Sequence, residues 1–110
     1  YVFRLAEMYL IRAEALAFTE GSVSSIQDDI NTIRLRAGLP STEASTYEQL
    51  KAAIALENRL EFAFEGHRWL DLVRTKTAGT IFGIDPKYYL FPIPLSEMQT
   101  NKLMQQNDGY

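Results

Sequence analysis

Glycine placement constrains this 110-residue chain more than any other feature. Gly21, Gly38 and Gly66 each follow a stretch whose apolar residues recur at three- and four-residue steps, the period of a helix. Residues 2–20 carry Leu5, Met8, Tyr9, Ile11, Ala15 and Leu16 in that pattern, which predicts an amphipathic helix with this stripe inward. Gly21 is expected to end it by taking the left-handed geometry that side chains resist. A second helix is predicted from Ser24 to Ala37, with Ile26, Ile30, Ile33 and Ala37 on one face, and Gly38 followed by Pro40 closes it. Beyond the polar linker from Leu39 to Ser45, either Thr46 with Gln49 or Ser45 with Glu48 supplies a capping box. The third helix then runs from Tyr47 to about Glu65, with Leu50, Ala53, Ile54, Leu60 and Phe64 as its stripe.

Gly66 breaks or bends that helix, and His67 to Arg74 reads as a short fourth one with Trp69, Leu72 and Val73 inward. Thr75 to Tyr88 is expected to be loop. Tyr89 to Ile93 should be extended, pinned by Pro92 and Pro94, which lack ladder donors. Leu95 to about Asn101 can form a last short helix. The predicted fold is mainly α: a helix hairpin over 1–38, a capped long helix and a short helix over 46–75, and an irregular C-terminal segment over 76–110. A lone hairpin cannot bury its outward face, so the first two helices should present a contiguous apolar patch.

The function classes that composition excludes are informative. With 46% apolar and 23% charged residues the chain is ordinary for a globular protein, and a formal charge of -3 supplies no basic surface for nucleic acid. No apolar run approaches the roughly 20 residues that span a bilayer. One histidine and no cysteine make a transition-metal site from this chain improbable, and neither phosphate-binding glycine motif occurs, so no metal or cofactor is expected. Tyr1-Val2-Phe3-Arg4 lacks a methionine start and begins inside a helical pattern, the expectation for a piece of a longer protein.

Several constellations invite chemistry. Glu57, Glu61 and Glu65 recur every four residues and share one ridge, with β-carbons roughly 5–6 Å apart. That spacing matches the roughly 5–5.5 Å carboxylate separation of retaining glycosidases, but two glutamates on one helix cannot flank a glycosidic bond. A structural charge network is the better reading, neutralised by arginines such as Arg12, Arg34, Arg68 or Arg74. His67, with Asp71 four residues on, pairs a base with an orienting group but lacks a nucleophile, because the serines sit at turns or caps. Its ring is expected to bond carbonyls freed at Gly66. Trp69 could stack on a sugar, yet its spacing with Leu72 and Val73 is that of a buried helix face. Tyr88 and Tyr89 lie on the loop and are the candidates for ligand contact, although alternation with Phe91 and Ile93 would bury Tyr89.

Two resemblances follow from ordered motifs. The first hairpin, through Leu5-Ala6-x-x-Tyr9, resembles a tetratricopeptide repeat, although no proline closes the second helix at the place that repeat expects. The whole chain resembles the C-terminal part of SusD/RagB-type outer-membrane nutrient-binding lipoproteins of Bacteroidetes. The pieces are Arg4 to Ala15, Ile30 to Leu39, Glu57-Asn58-Arg59-Leu60-Glu61-Phe62, the Glu65-Gly66-His67-Arg68-Trp69-Leu70-Asp71-Leu72-Val73-Arg74-Thr75 run, Leu90-Phe91-Pro92-Ile93-Pro94 and the Gln106-to-Tyr110 terminus. Asn58 stands where the family usually has arginine. The resemblance implies a helical protein on the cell surface of the outer membrane, lipid-anchored upstream, that binds oligosaccharide beside a SusC-like TonB-dependent transporter and has no enzymatic activity. It implies that this segment is mainly scaffold, with Glu57, Glu61, Glu65, His67, Arg68, Trp69, Asp71 and Arg74 as its network. The alternative is a free-standing helical module that binds other proteins.

Overall fold

The computed structural model describes residues 3–110, which form two compact units, one ending at Arg68 and the other beginning at Trp69. Among these residues the secondary structure is helical: α1 (Leu5–Phe18), α2 (Val23–Arg36), α3 (Tyr47–Glu61), α4 (His67–Arg74), α5 (Ala78–Phe82), a 3-10 turn (Pro86–Tyr89) and α6 (Leu95–Thr100). The expected mainly α fold is what forms.

The first unit is a three-helix arrangement in which α1 packs on α2 and α3, and α2 packs on α3. Its core joins Ala6, Leu10, Ala13 and Ala17 to Ile26, Ile30 and Ile33, and to Leu50, Ile54 and Phe62. The inward face of α1 is therefore not the expected one. Leu5 is 71% and Ile11 54% exposed, and Met8 and Ala15 also lie outward, while Tyr9 and Leu16 are half-buried. The reason is that α1 is apolar around most of its circumference, so periodicity alone offers two stripes. Close approach of two helices selects the one built on alanines.

Helix ends show the same mixture of local rule and correction. Gly38 adopts a left-handed φ of 74°, and the Leu39 and Gly38 amides donate to the carbonyls of Arg34 and Leu35, a Schellman closure of α2. At the end of α1 the left-handed residue is Glu20, with φ 53°, rather than Gly21. Gly21 donates to the Leu16 carbonyl and is small because a β-carbon there would meet the Leu16 side chain at 2.8 Å. Of the two candidate capping boxes, Thr46 with Gln49 forms at the start of α3.

The linker is pinned rather than loose, since Gln27 donates to the Ala44 carbonyl and Thr42 donates to Asn31. The Tyr47 hydroxyl reaches the Glu20 and Gly21 carbonyls at 2.9 and 3.0 Å, tying the start of α3 to the α1–α2 turn.

Three further expectations are corrected here. Helix α3 ends at Glu61, not Glu65, and an irregular turn follows in which Phe64 takes φ 66°. That turn resets the register: Phe62 goes into the core, while Leu60 and Phe64 face out. Ala37, expected inward, is exposed because it caps α2.

In the second unit the predicted loop contains α5 and the 3-10 turn, so Tyr89 ends a helical turn and the extended backbone begins at Leu90. Side chains of the tail stand in for a partner strand. Gln106 accepts from the Ile93 amide at 2.7 Å and donates to its carbonyl at 2.9 Å, and Asn107 donates to the Phe91 carbonyl. Leu72 and Ala78 are buried.

Candidate functional site

The glutamate ridge is where charge concentrates, and helix packing decides what it can do. Glu57, at one end of the ridge, is 3% exposed and accepts from Arg34 on the last turn of α2. Arg34 donates a second bond, from Nε to the Pro40 carbonyl at 2.8 Å, which fixes its guanidinium over the linker. One turn on, Glu61 takes two arginines: Arg4 Nη2 donates to Oε1 and Arg36 Nη2 to Oε2, both at 2.6 Å. Arg4 also donates to Glu65 and lies 5.3 Å from the centre of the Phe62 ring. The carboxylate hydrogen bonds, Glu65's foremost, hold the Arg4 pKa above its ordinary value against the opposing pull of desolvation.

Three like charges on adjacent turns would repel by about 0.2–0.5 kcal/mol per pair if left alone. Arginines from the entry of α1 and the exit of α2 convert that repulsion into a clamp across three helices. Of the arginines expected to do this, Arg34 does. Arg12 instead bonds Asp29 of α2 through Nε at 2.9 Å and through Nη2, which raises its own pKa by hydrogen bonding and charge. Arg74 Nη2 donates to Asp71 at 2.8 Å within α4.

Arg4, Arg36 and Asp29 were missed by sequence reasoning. Asp29 had a signal, because it lies among Ile26, Ile30 and Ile33 on the inward face of α2 and is 1% exposed. A carboxylate placed there requires a cation.

His67 is exposed, and its ring stacks on Phe62 with centroids 5.1 Å apart and planes at 17°. Arg68 is half-buried at the end of the first unit. In the second unit the half-buried Trp69 lies 6.3 Å from Phe91, tilted by 43°. The Tyr89 hydroxyl accepts from the Gly79 amide at 2.6 Å, which occupies its polar end in holding α5. Tyr88 is half-exposed, meets Tyr110 edge-on at 6.1 Å and has Lys87 Nζ 4.9 Å from its ring centre. The two tyrosines thus differ in kind, one a tether and the other an open ring. Among the described residues no group of three acidic, histidine or cysteine side chains is placed to hold a metal, and no helix is long and apolar enough to cross a membrane.

A helix hairpin closed by a third helix and held by arginine–carboxylate pairs defines a mainly α protein. The sequence model of the SusD family matches residues 1–86, and the chain belongs to that family. It is 34% identical to the SusD-like protein P2 of Formosa agariphila, across 97% of this chain and 25% of that protein. It is 36% identical to the starch-binding protein SusD of Bacteroides thetaiotaomicron, across 99% of this chain and 21% of the relative. A SusD superfamily protein from Bacteroides vulgatus superposes with a TM-score of 0.90 at 28% identity, over 98% of this chain and 27% of that one. The chain thus spans about a quarter of the length of the relatives it matches.

Proposed function

We propose that residues 1–110 are a scaffold segment of a longer nutrient-binding protein on the outer-membrane surface. That protein captures oligosaccharide beside a SusC-like TonB-dependent transporter and is held by a lipid anchor outside this segment. Family membership and the starch-binding relative support the ligand class. The observation that carries the scaffold role is the ridge: Glu57, Glu61 and Glu65 are each bonded to an arginine from another part of the fold. Carboxylates committed in this way bind helices together rather than substrate, and the segment performs no catalysis.

A sugar site needs several aromatic faces and polar groups converging on one concave surface. Of the three candidate aromatics here, Tyr89 is a tether, Trp69 is half-buried and Tyr88 is half-exposed with Tyr110 at its edge and Lys87 over its ring. The main ligand contacts therefore lie outside residues 1–110. Calorimetric titration with a panel of plant and host oligosaccharides tests this. The full-length protein should give a saturable signal that survives Tyr88→Ala and Trp69→Ala. Loss of binding in either variant, with the fold intact, would place the site in this segment.

A further inference from the structure

The last residues of the second unit are latched to two neighbouring carbonyls. Asn107 Nδ2 donates to the Phe91 carbonyl at 2.7 Å. The Tyr110 hydroxyl donates to the Leu90 carbonyl at 3.2 Å, and its ring meets Tyr88 edge-on. Asp108 and Gly109 form the turn between these latches. Gly109 takes φ 95° and lies against the Lys87 stem, where an added β-carbon would come within 2.8 Å of Cδ. The packing of the turn therefore calls for glycine at 109.

That glycine has a chemical consequence for its neighbour. The Cγ of an aspartate and the nitrogen of the next residue can close a five-membered ring. A side chain on the next residue hinders the closure, and so does a hydrogen bond that ties up the nitrogen. Asp108 and Gly109 are exposed, and among the described residues neither the Asp108 carboxylate nor the Gly109 amide makes a hydrogen bond. The other aspartates differ. Asp28, Asp29 and Asp71 are each followed by an amide inside α2 or α4, where the helix occupies it. Asp85 precedes Pro86, whose nitrogen carries no proton.

We propose that Asp108–Gly109 is a site of spontaneous aspartate isomerisation, and that conversion there unlatches the tail from Leu90 and Phe91. The Gly109 nitrogen attacks Cγ of the Asp108 carboxyl in its acid form. A C–N bond forms, and the carboxyl OH leaves with the amide proton as water. Water then opens the succinimide. Opening at Cγ restores aspartate, whereas opening at the main-chain carbonyl leaves isoaspartate, with the chain routed through Cβ and Cγ. Water is the only co-reactant, lost once and regained once, so the product is an isomer of the starting chain. The path from Asn107 to Tyr110 is then one carbon longer, while their acceptors on Phe91 and Leu90 stay one residue apart. Tyr110 holds by the longer hydrogen bond and is the latch that gives way. None of this depends on what the protein binds.

The test is to age the full-length protein at neutral pH, both natively and in denaturant. Digestion with a protease that cuts before aspartate but not before isoaspartate follows the conversion, and electron-transfer fragmentation locates it. Native conversion at Asp108 should run within about ten-fold of its denatured rate, while conversion at Asp71 should be slowed at least about a hundred-fold by folding. Asp108→Glu, which would have to close a six-membered ring, should remain unconverted. In the isomerised fraction, hydrogen exchange at the Ile93 amide, which Gln106 of the same tail holds, should be at least about five-fold faster than in fresh protein. Tyr110→Phe, which lacks the hydroxyl latch, should show the faster exchange before ageing.

Suppression at Asp108 as deep as at Asp71 would overturn the site. A change accompanied by a gain in mass would assign it to deamidation of Asn107 and overturn the site as well. Isoaspartate at 108 with unchanged exchange at Ile93 would refute the unlatching.

Discussion

Replacing Glu57 with alanine tests the clamp at its most buried point. Glu57 is 3% exposed, and the Arg34 guanidinium it holds is 21% exposed. Without the carboxylate, Arg34 keeps only the Pro40 carbonyl among its described partners and sits among α2, α3 and the linker. Breaking a buried pair by removing one member typically costs about 3–5 kcal/mol. Because Arg34 is a fifth open to water it can partly rehydrate, so we expect about 2–4 kcal/mol here. For a domain of this size that corresponds to a fall in Tm of very roughly 10–20 °C.

Urea unfolding followed by circular dichroism at 222 nm would measure the change in midpoint at constant slope, which separates a loss of stability from a change in compactness. Arg34→Ala alone should cost a similar amount. The double variant should cost less than the sum, with a coupling of about 0.5–3 kcal/mol. Swapping both partners for apolar residues of similar volume, as in Glu57→Leu with Arg34→Met, should recover most of the loss. If Glu57→Ala shifts stability by less than about 0.5 kcal/mol, the pair is not a clamp and the ridge does not hold the helices together.

Other perturbations bear on separate parts of the molecule. Glu20→Gly should stabilise the first unit by about 0.5–1 kcal/mol, because it removes a side chain from the left-handed position at the end of α1; a neutral or negative change in Tm would count against backbone strain there. Gly79→Ala should destabilise the second unit by about 1–3 kcal/mol, since a β-carbon would meet the Tyr89 hydroxyl at 2.9 Å and the Ile84 carbonyl at 3.1 Å. Amide exchange faster across α5 than across α2 would report it. The Arg12–Asp29 pair should add no pH slope in mildly alkaline buffer. A raised arginine pKa makes its contribution complete below the ordinary arginine range and lost only above it, so the destabilisation by Arg12→Gln should be equal at about pH 8 and pH 10.

How much of this was legible beforehand depended on whether the cause was local. The turn after α2 is written in Gly38, and the start of α3 in Thr46 and Gln49, because both are satisfied by backbone and side-chain groups within a few residues. α4 announced itself by a short helical period bounded by Gly66. α5 did not, since five residues are too few for periodicity to speak and the helix is held by the distant Tyr89 hydroxyl. In the ridge, the glutamates could be placed from their spacing, and Arg34 was among the expected partners. Arg4 and Arg36 were out of reach because the choice among the chain's arginines depends on how α1 and α2 pack on α3, which brings both to Glu61.

Sequence alone thus determined the family, the helical class and most helix boundaries, for these depend on short-range spacing and on ordered motifs. The orientation of α1 did not follow from it. With apolar side chains on two sides, the helix had two admissible inward faces of similar hydrophobicity. Only the tertiary structure chose the one with Ala6, Ala13 and Ala17, because small residues let α2 and α3 approach closely and bury Leu10 between them. The same packing determined that Asp29 would be enclosed and Arg12 drawn to it, and that Leu5, Met8 and Ile11 would be left facing outward.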